Sequence, residues 1–183
     1  SSAASDVYKR QAETNVTPRA GYSAFETFLM SEGDGSYSLT QNETITHELN
    51  LSFTTKTTKI ITCANDANYG LKLAANVTIG NNCELLRFNY VELSSSGGNI
   101  ILKGNGSLSA SVYSGKFPLN CIKCDSTSTG SLYFSEGTYS GTLLLDYGVD
   151  LSYKYTTLSV SLGSNFNSSI GVNSNASLTI CLL

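Results

Sequence analysis

Five cysteines, one histidine and a thin scatter of carboxylates are the side chains in this sequence that could do chemistry. The cysteines are Cys63, Cys83, Cys121, Cys124 and Cys181. Cys121-Ile-Lys-Cys124 has the C-x-x-C spacing of zinc and redox sites. A zinc ribbon needs a second such pair, and Cys63 and Cys83 stand 20 residues apart. A dithiol redox centre needs a βαβ setting, which the surrounding pattern does not offer. The thiols therefore read as small, inward-facing core residues, free Cys being among the most buried residue types. A Cys121–Cys124 disulfide across a turn is the alternative in an oxidising compartment. Neither reading calls for a metal or any other cofactor.

The remaining candidates are sparse. Asp146 and Asp150 share one face of an alternating stretch, which reads as its solvated face. His47 would be the single base of any Ser-His-acid triad, and it sits in an otherwise apolar row, so it reads as a satisfied strand residue. Asn65-Asp66-Ala67-Asn68 has the look of half a calcium loop, but no Gly follows and no Glu closes it, so it reads as a turn. Thr54-Thr55-Lys56-Thr57-Thr58 holds two Thr-x-Thr pairs without forming a regular array. There is no Trp, and 11 Tyr supply the aromatic surface. Tyr147, Tyr153 and Tyr155 could stack on sugar rings if a groove exposes them. Seven N-x-S/T sequons begin at Asn15, Asn42, Asn50, Asn76, Asn105, Asn167 and Asn175. Several coincide with strand entries, where Asn suits a turn and Thr a strand.

Bulk charge excludes further classes. Lys and Arg number 11 against 14 Asp and Glu, for a net charge of −3, and the basic residues are scattered singly. No basic stripe exists to hold a phosphate backbone, which argues against a nucleic-acid partner. No run of apolar residues in this segment is long enough to span a membrane. Charged residues make up only 14% of the chain, against a globular norm of about 25%. Ser, Thr, Asn and Gly fill the deficit, as befits strands joined by tight turns.

These side chains must be carried by a succession of short strands. Residues 1–11 share no pattern with the rest, read like a translated adapter tract, and are set aside. Residues 12–35 form a cap. Ser23-Ala-Phe-Glu26 fits a capping box, and Phe25, Phe28 and Leu29 fall on one helical face before Gly33-Asp-Gly35. Thr17-Pro18 is an alternative helix start. From residue 36 to 183 the period is two. Ile45, Leu49, Leu51 and Phe53, then Tyr69, Leu71, Leu73, Val77 and Ile79, hold odd positions. So do Leu143 through Tyr155. A motif recurs as Asn42-Glu-Thr-Ile45, Asn76-Val-Thr-Ile79 and Asn105-Gly-Ser-Leu108. It returns as Thr129-Gly-Ser-Leu132, Ser140-Gly-Thr-Leu143 and Asn175-Ala-Ser-Leu178. Its irregular spacing argues against strict solenoid repeats. A β-sandwich competes, with Asn105-Gly106 as a conceivable hairpin. The expected fold is all-β, a right-handed parallel β-helix with a short N-terminal capping α-helix and inward-facing odd-numbered apolar residues. The alternating run Asn175–Leu183 has no polar cap after it, so the native protein is expected to continue, and this chain to self-associate through an open C-terminal end.

The opening carries a resemblance. A short helix, a Gly-rich turn and then Tyr37-Ser-Leu-Thr-Gln-Asn-Glu-Thr-Ile45 resemble the start of bacterial surface and adhesin-type proteins with pectin-lyase-like β-helices. The likeness is close over the first strands and extends further only as pattern. It implies an extracellular, cell-surface location, attachment through another region, and frequent absence of catalysis. Polysaccharide cleavage is the activity this architecture hosts, and its patterns are missing. There is no Asp-Asp, Asn-Thr-Asp or Gly-His-Gly set, and Arg87 is the single arginine after residue 19. The expected function is a non-catalytic extracellular stalk, spacer or adhesin, partnered by a host or environmental glycan or protein. The alternatives are a glycan-binding module and a non-catalytic fragment of a polysaccharide lyase or hydrolase.

Overall fold

The computed structural model describes residues 18–183, so the tract 1–11 and Asn15 lie outside the described residues. Helix α1 covers Ala24–Met30. The Glu26 amide donates to Ser23 Oγ at 3.0 Å, and the Ser23 amide donates back to Glu26 Oε1 at 3.0 Å. Two amides left orphaned at the helix start are thus satisfied, as the capping box requires. Phe25, Phe28 and Leu29 are buried beneath the helix. At its end, the Ser31 hydroxyl and amide both donate to the Phe28 carbonyl.

After α1 the chain winds in turns of up to three strands. The first turn holds β1 (Gly35–Leu39), β2 (Glu43–Ile45) and β3 (Leu49–Leu51). The second holds β4 (Thr57–Cys63), β5 (Gly70–Leu73) and β6 (Val77–Ile79). The third holds β7 (Cys83–Asn89), β8 (Glu92–Ser95) and β9 (Ile100–Leu102). β10 (Leu108–Ser111), β11 (Lys116–Pro118) and β12 (Ile122–Cys124) make the fourth. β13 (Ser131–Ser135), β14 (Thr138–Ser140) and β15 (Thr142–Leu145) make the fifth. The last two are shorter: β16 (Asp150–Tyr153) with β17 (Thr157–Leu162), and β18 (Ile170–Val172) with β19 (Ser177–Ile180).

Every strand pairing is parallel and joins one turn to the next. Face 1 is a seven-stranded sheet, β1-β4-β7-β10-β13-β16-β18. Face 2 stacks β2-β5-β8 and then β11-β14. Face 3 stacks β3-β6-β9-β12 and then β15-β17-β19. The parallel β-helix expected from the sequence is the architecture found, and the sandwich alternative is excluded.

Register sets the core. One column on face 1 runs Tyr37, Ile61, Phe88, Ala110, Phe134, Tyr153, Val172, at steps of 24, 27, 22, 24, 19 and 19 residues. Ala110 is small because face 2 inserts Phe117 at that level. The Phe117 ring meets Phe88 and Phe134 edge-on, at 6.1 Å and 5.8 Å between centroids. Leu71 and Leu73 are buried as expected, but inward parity does not stay odd. Pairing of Thr57 with Cys83 and of Thr58 with Leu85 leaves Glu84 bulged out, its carboxylate on Lys56 at 2.9 Å. After that extra residue the inward positions on face 1 become even: Leu86, Phe88, Leu108 and Ala110.

The recurring motif marks entry to strands on different faces, which is why its spacing is irregular. Its copies open β2, β6, β10, β13, β15 and β19. Within it, Leu108 pairs with Leu132, so Gly106 lies under Gly130 at the corner before face 1. A Cβ on Gly130 would overlap the Gly106 carbonyl, and one on Gly106 would overlap the Ile79 carbonyl. Gly130→Ala is therefore expected to cost about 1–3 kcal/mol, the usual range for forced overpacking, read as a lower melting temperature. Gly171→Ala, whose Cβ would find ordinary contacts at 3.6 Å or beyond, is the control expected to leave stability within about 0.5 kcal/mol.

Candidate functional site

A groove of about 670 Å³ runs along face 3. Its floor is the outward row of three successive turns, in which Asn50 pairs with Thr78 and Thr78 with Ile101, and a fourth turn adds Asp125 and Thr127. Its walls include Glu48, Ser52, Asn81, Lys103, Asp125 and Thr127. Strand spacing of about 4.8 Å makes this a straight channel parallel to the solenoid axis, with Ile101 as an apolar step among mostly polar residues.

Asp125 is held as part of the frame. Asp125 Oδ1 accepts from the Thr127 amide at 3.0 Å and the Thr127 hydroxyl at 2.8 Å. Those bonds hold its carboxyl below the usual range against the opposing effect of burial, with Lys103 adding to them. The Thr127 hydroxyl in turn accepts from the Gly104 amide at 3.1 Å. Asp125 is thus an ionised acceptor built into a corner. Other carboxylates serve likewise. Asp34 takes the Thr58 amide at 2.8 Å, and Asp146 takes the amides of Tyr147 and Asn165 at 2.9 Å and 3.0 Å. Asp150 accepts from the hydroxyls of Ser168 and Ser169. The Asp146/Asp150 pair therefore clasps the next turn's corner rather than a substrate.

Glu26 and Glu43 are the carboxyls whose surroundings push them apart, the usual sign of an acid–base pair. Glu43 is raised by burial, against a hydrogen bond from Gln41 and helped by the Glu26 charge. For Glu26, burial also raises the carboxyl, yet bonds from Ser23, His47 and Thr46 outweigh it and leave a net depression. Glu26 is 1% exposed, and both its oxygens are occupied. Oε2 accepts from the amides of Thr46 and His47, each at 3.1 Å, and His47 Nδ1 lies 3.1 Å away. No free lone pair faces a ligand, so Glu26 anchors the cap. His47 itself stands at the bend between β2 and β3, its ring 4.4 Å from that of Tyr22, and not in the inward apolar row.

The tyrosines singled out by sequence do not converge. Tyr153 is wholly buried and donates its hydroxyl to the Ser177 carbonyl at 2.8 Å, because alternation along β16 turns it inward. Tyr147 is half-buried at the corner before β16. Tyr155 is exposed at the corner after it, with Lys154 Nζ 5.3 Å from its ring centre. The core occupies the space between them.

The cysteines are all free thiols, so the Cys121–Cys124 disulfide is not formed. Cys121 ends a single 3₁₀ turn and donates to the Pro118 carbonyl at 3.1 Å, whereas Cys124 points to the Leu144 carbonyl at 3.9 Å in the next turn. Cys63 and Cys83 are buried as expected, but Cys181 is only half-buried on the exposed last turn. Burial pushes Cys83 up to about 12 and Cys121 up to about 11, which keeps both protonated and unreactive at neutral pH. Among the described residues no three His, Cys, Asp or Glu side chains converge as a metal set.

Several sequon asparagines are corner acceptors between turns. Asn42 Oδ1 takes the Gly70 amide, Asn76 Oδ1 the Asn99 amide and Asn105 Oδ1 the Asn82 amide, each at 2.8 Å. The Asn65–Asn68 segment is a turn, with Asn65, Asp66 and Asn68 at φ of 54°, 51° and 51°. Sequence reasoning missed Lys59, which is 1% exposed on the inward row of β4. Its ammonium reaches Ser31 Oγ at 3.1 Å and lies 4.8 Å from the Phe28 ring centre and 5.6 Å from that of Phe53. Burial lowers its pKa, with Cys83, Asp34 and Glu32 opposing. Its place between Thr57 and Ile61 in an alternating strand was the available signal. The face 3 groove had none, since it is assembled from four turns.

No protein-family model, curated protein or solved structure matches this chain.

The Glu26 anchor has a pH signature. Its carboxyl is depressed in the folded state, so its contribution is complete above the unfolded value of 4.5 and is lost as pH falls through the folded value. Glu26→Gln is expected to cost about 1.5–3 kcal/mol near pH 7, the range for hydrogen bonds to a charged group. The melting temperature of the native chain should fall more steeply than the variant's below pH 4.5. Parallel slopes in thermal melts would show that the carboxylate does not hold the cap.

Proposed function

We propose that this chain is a non-catalytic β-helical module of an extracellular surface protein, acting as a stalk, spacer or adhesin. The observation that carries this reading is the use made of the acids and amides. Asp34, Asp125, Asp146, Asp150, Asn42, Asn76 and Asn105 all accept from backbone or hydroxyl groups at the corners, where they fasten the turns. Glycoside hydrolysis requires one protonated and one ionised carboxyl facing a common bond. Side chains already committed to the frame serve rigidity instead. Buried, protonated thiols suit an oxidising exterior, since reactivity follows thiolate character and access. The opening strands' resemblance to pectin-lyase-like surface proteins supports the same location.

A second reading, glycan binding, is favoured by the face 3 groove, whose straight floor of Asn50, Thr78 and Ile101 suits an extended polymer better than a compact ligand. In this reading the floor and not the tyrosines makes contact.

Incubation with neutral and acidic polysaccharides, followed by assays for reducing ends and unsaturated uronates, is expected to give neither product. Turnover that disappears in Asp125→Asn would replace this proposal with that of a lyase or hydrolase fragment. Affinity electrophoresis through polysaccharide gels separates the two non-catalytic readings. Retardation that Thr78→Arg weakens severalfold, and Tyr155→Ala does not, would favour the groove.

The apolar last turn bears on assembly. Val172 and Ile180 are 44% and 50% exposed. For this 183-residue chain by itself, they leave an apolar ladder edge open to a second copy. Light scattering is expected to show a mass above the monomer that rises with concentration, and Ile180→Lys is expected to restore the monomer.

A further inference from the structure

Two tyrosines, Tyr90 half-buried and Tyr113 exposed, stack on the corner between faces 1 and 2. Tyr90 follows β7 and Tyr113 follows β10, one turn later. Their ring centroids are 3.9 Å apart and their planes differ by 9°. Both residues have left-handed backbone, at φ of 62° and 53°. That conformation is unfavourable for a bulky side chain, and Asn tolerates it better. The chain uses Asn at other left-handed positions, such as Asn68 and Asn175, and Tyr at two more, Tyr147 and Tyr155, which do not stack. Here it holds two phenols face to face instead.

The frame around them is tightly bonded. The Tyr90 amide donates to the Ser111 carbonyl at 3.0 Å, and the Tyr113 amide to the Glu136 carbonyl at 2.8 Å. Beneath the pair lies the Asn68 amide. Oriented to satisfy its partners, it donates to the carbonyls of Tyr90 and Val112 at 2.7 Å and 3.1 Å, and accepts from Ser114 Oγ at 2.6 Å. The rings are thus held in contact by the backbone of adjacent turns, with the Tyr113 side reached by solvent.

We infer that Tyr90 and Tyr113 form an oxidative cross-linking site that closes a dityrosine bond between the third and fourth turns. The oxidant is a peroxidase using hydrogen peroxide, a class of reagent met outside cells. Each phenol gives up one electron and one proton, leaving a phenoxyl radical with spin on the ring carbons ortho to oxygen. One Cε of Tyr90 and one Cε of Tyr113 join in a new carbon–carbon bond. Each joined carbon then passes its hydrogen to the phenolic oxygen as the ring regains aromaticity. The chain loses two hydrogens, and one peroxide takes up two electrons and two protons to become two waters. Because the rings already touch, their effective concentration exceeds that of any second chain, so coupling is intramolecular. The product is a covalent staple across one corner of the helix. It rests on the reading above only for the setting in which the oxidant is met.

The test treats the whole chain at low concentration with peroxidase and hydrogen peroxide. Dityrosine fluorescence is expected in a species that stays monomeric on denaturing gels, at a yield unchanged over a tenfold range of protein concentration. Peptide mapping should find the Tyr90 and Tyr113 peptides joined, with the loss of two hydrogens. Tyr113→Phe keeps the stacked ring but removes the phenol, and is expected to cut the yield at least tenfold. Tyr90→Phe is expected to do the same, and serves if the first variant melts abnormally. Tyr155→Phe is the exposure control. Tyr155 is 44% exposed against 41% for Tyr113, so coupling that merely followed exposure would use it. Cross-links mainly between chains, a full yield in Tyr113→Phe, or no dityrosine in the native chain would each overturn the inference. None of these outcomes depends on whether the face 3 groove binds a glycan.

Discussion

Parallel, in-register stacking is the constraint on which the rest of this structure depends. Each inward side chain lies over one from the previous turn, so its size is decided by its column and not by its sequence neighbours. Ala110 shows this directly. It stands between Phe88 and Phe134 in register, and its small volume admits Phe117 from the next face. The corners obey the same rule through the backbone. Gly106 and Gly130 are stacked so closely with neighbouring carbonyls that no side chain fits at either. Asn42, Asn76 and Asn105 supply acceptors to amides that the change of strand direction leaves unpaired.

A stacked ladder leaves its first turn with an open side, and here two buried ionisable groups help close it. Glu26 joins α1 to the bend between β2 and β3, and Lys59 joins β4 to the end of the same helix. Each would be costly to bury alone. Glu26 is sustained by backbone amides and Lys59 by a hydroxyl and two aromatic faces. Apolar packing of Phe25, Phe28 and Leu29 supplies attraction without direction. The charged contacts fix which residues the helix meets, and so the position in which it caps the turn.

The same economy of polar groups governs what the surface can do. Asp125, engaged by an amide and a hydroxyl, stays ionised and oriented toward the frame, and Cys83 in the core stays protonated. In the proposed reading, recognition is left to the shape of the face 3 groove and to aromatic contact at the corner of faces 1 and 2.

Much of this was legible in the order of residues, because burial on one side of a strand imposes a period of two and a helix start imposes its own cap. The capping box at Ser23 and Glu26, the alternating strands and the strand-entry motif follow from such local rules. Rows such as Leu143–Tyr155 nevertheless run through a corner, so alternation alone could not separate buried Tyr153 from exposed Tyr155. Nor could it foresee the Glu84 bulge, which reverses inward parity, or turns of 19 to 27 residues, which hide the repeat. The sequence by itself determined the class of fold and the cap. Only the tertiary structure decided which side chains share a column, a corner or a groove. Those partners lie a whole turn apart along the chain, and register across turns is set by the summed packing of all of them.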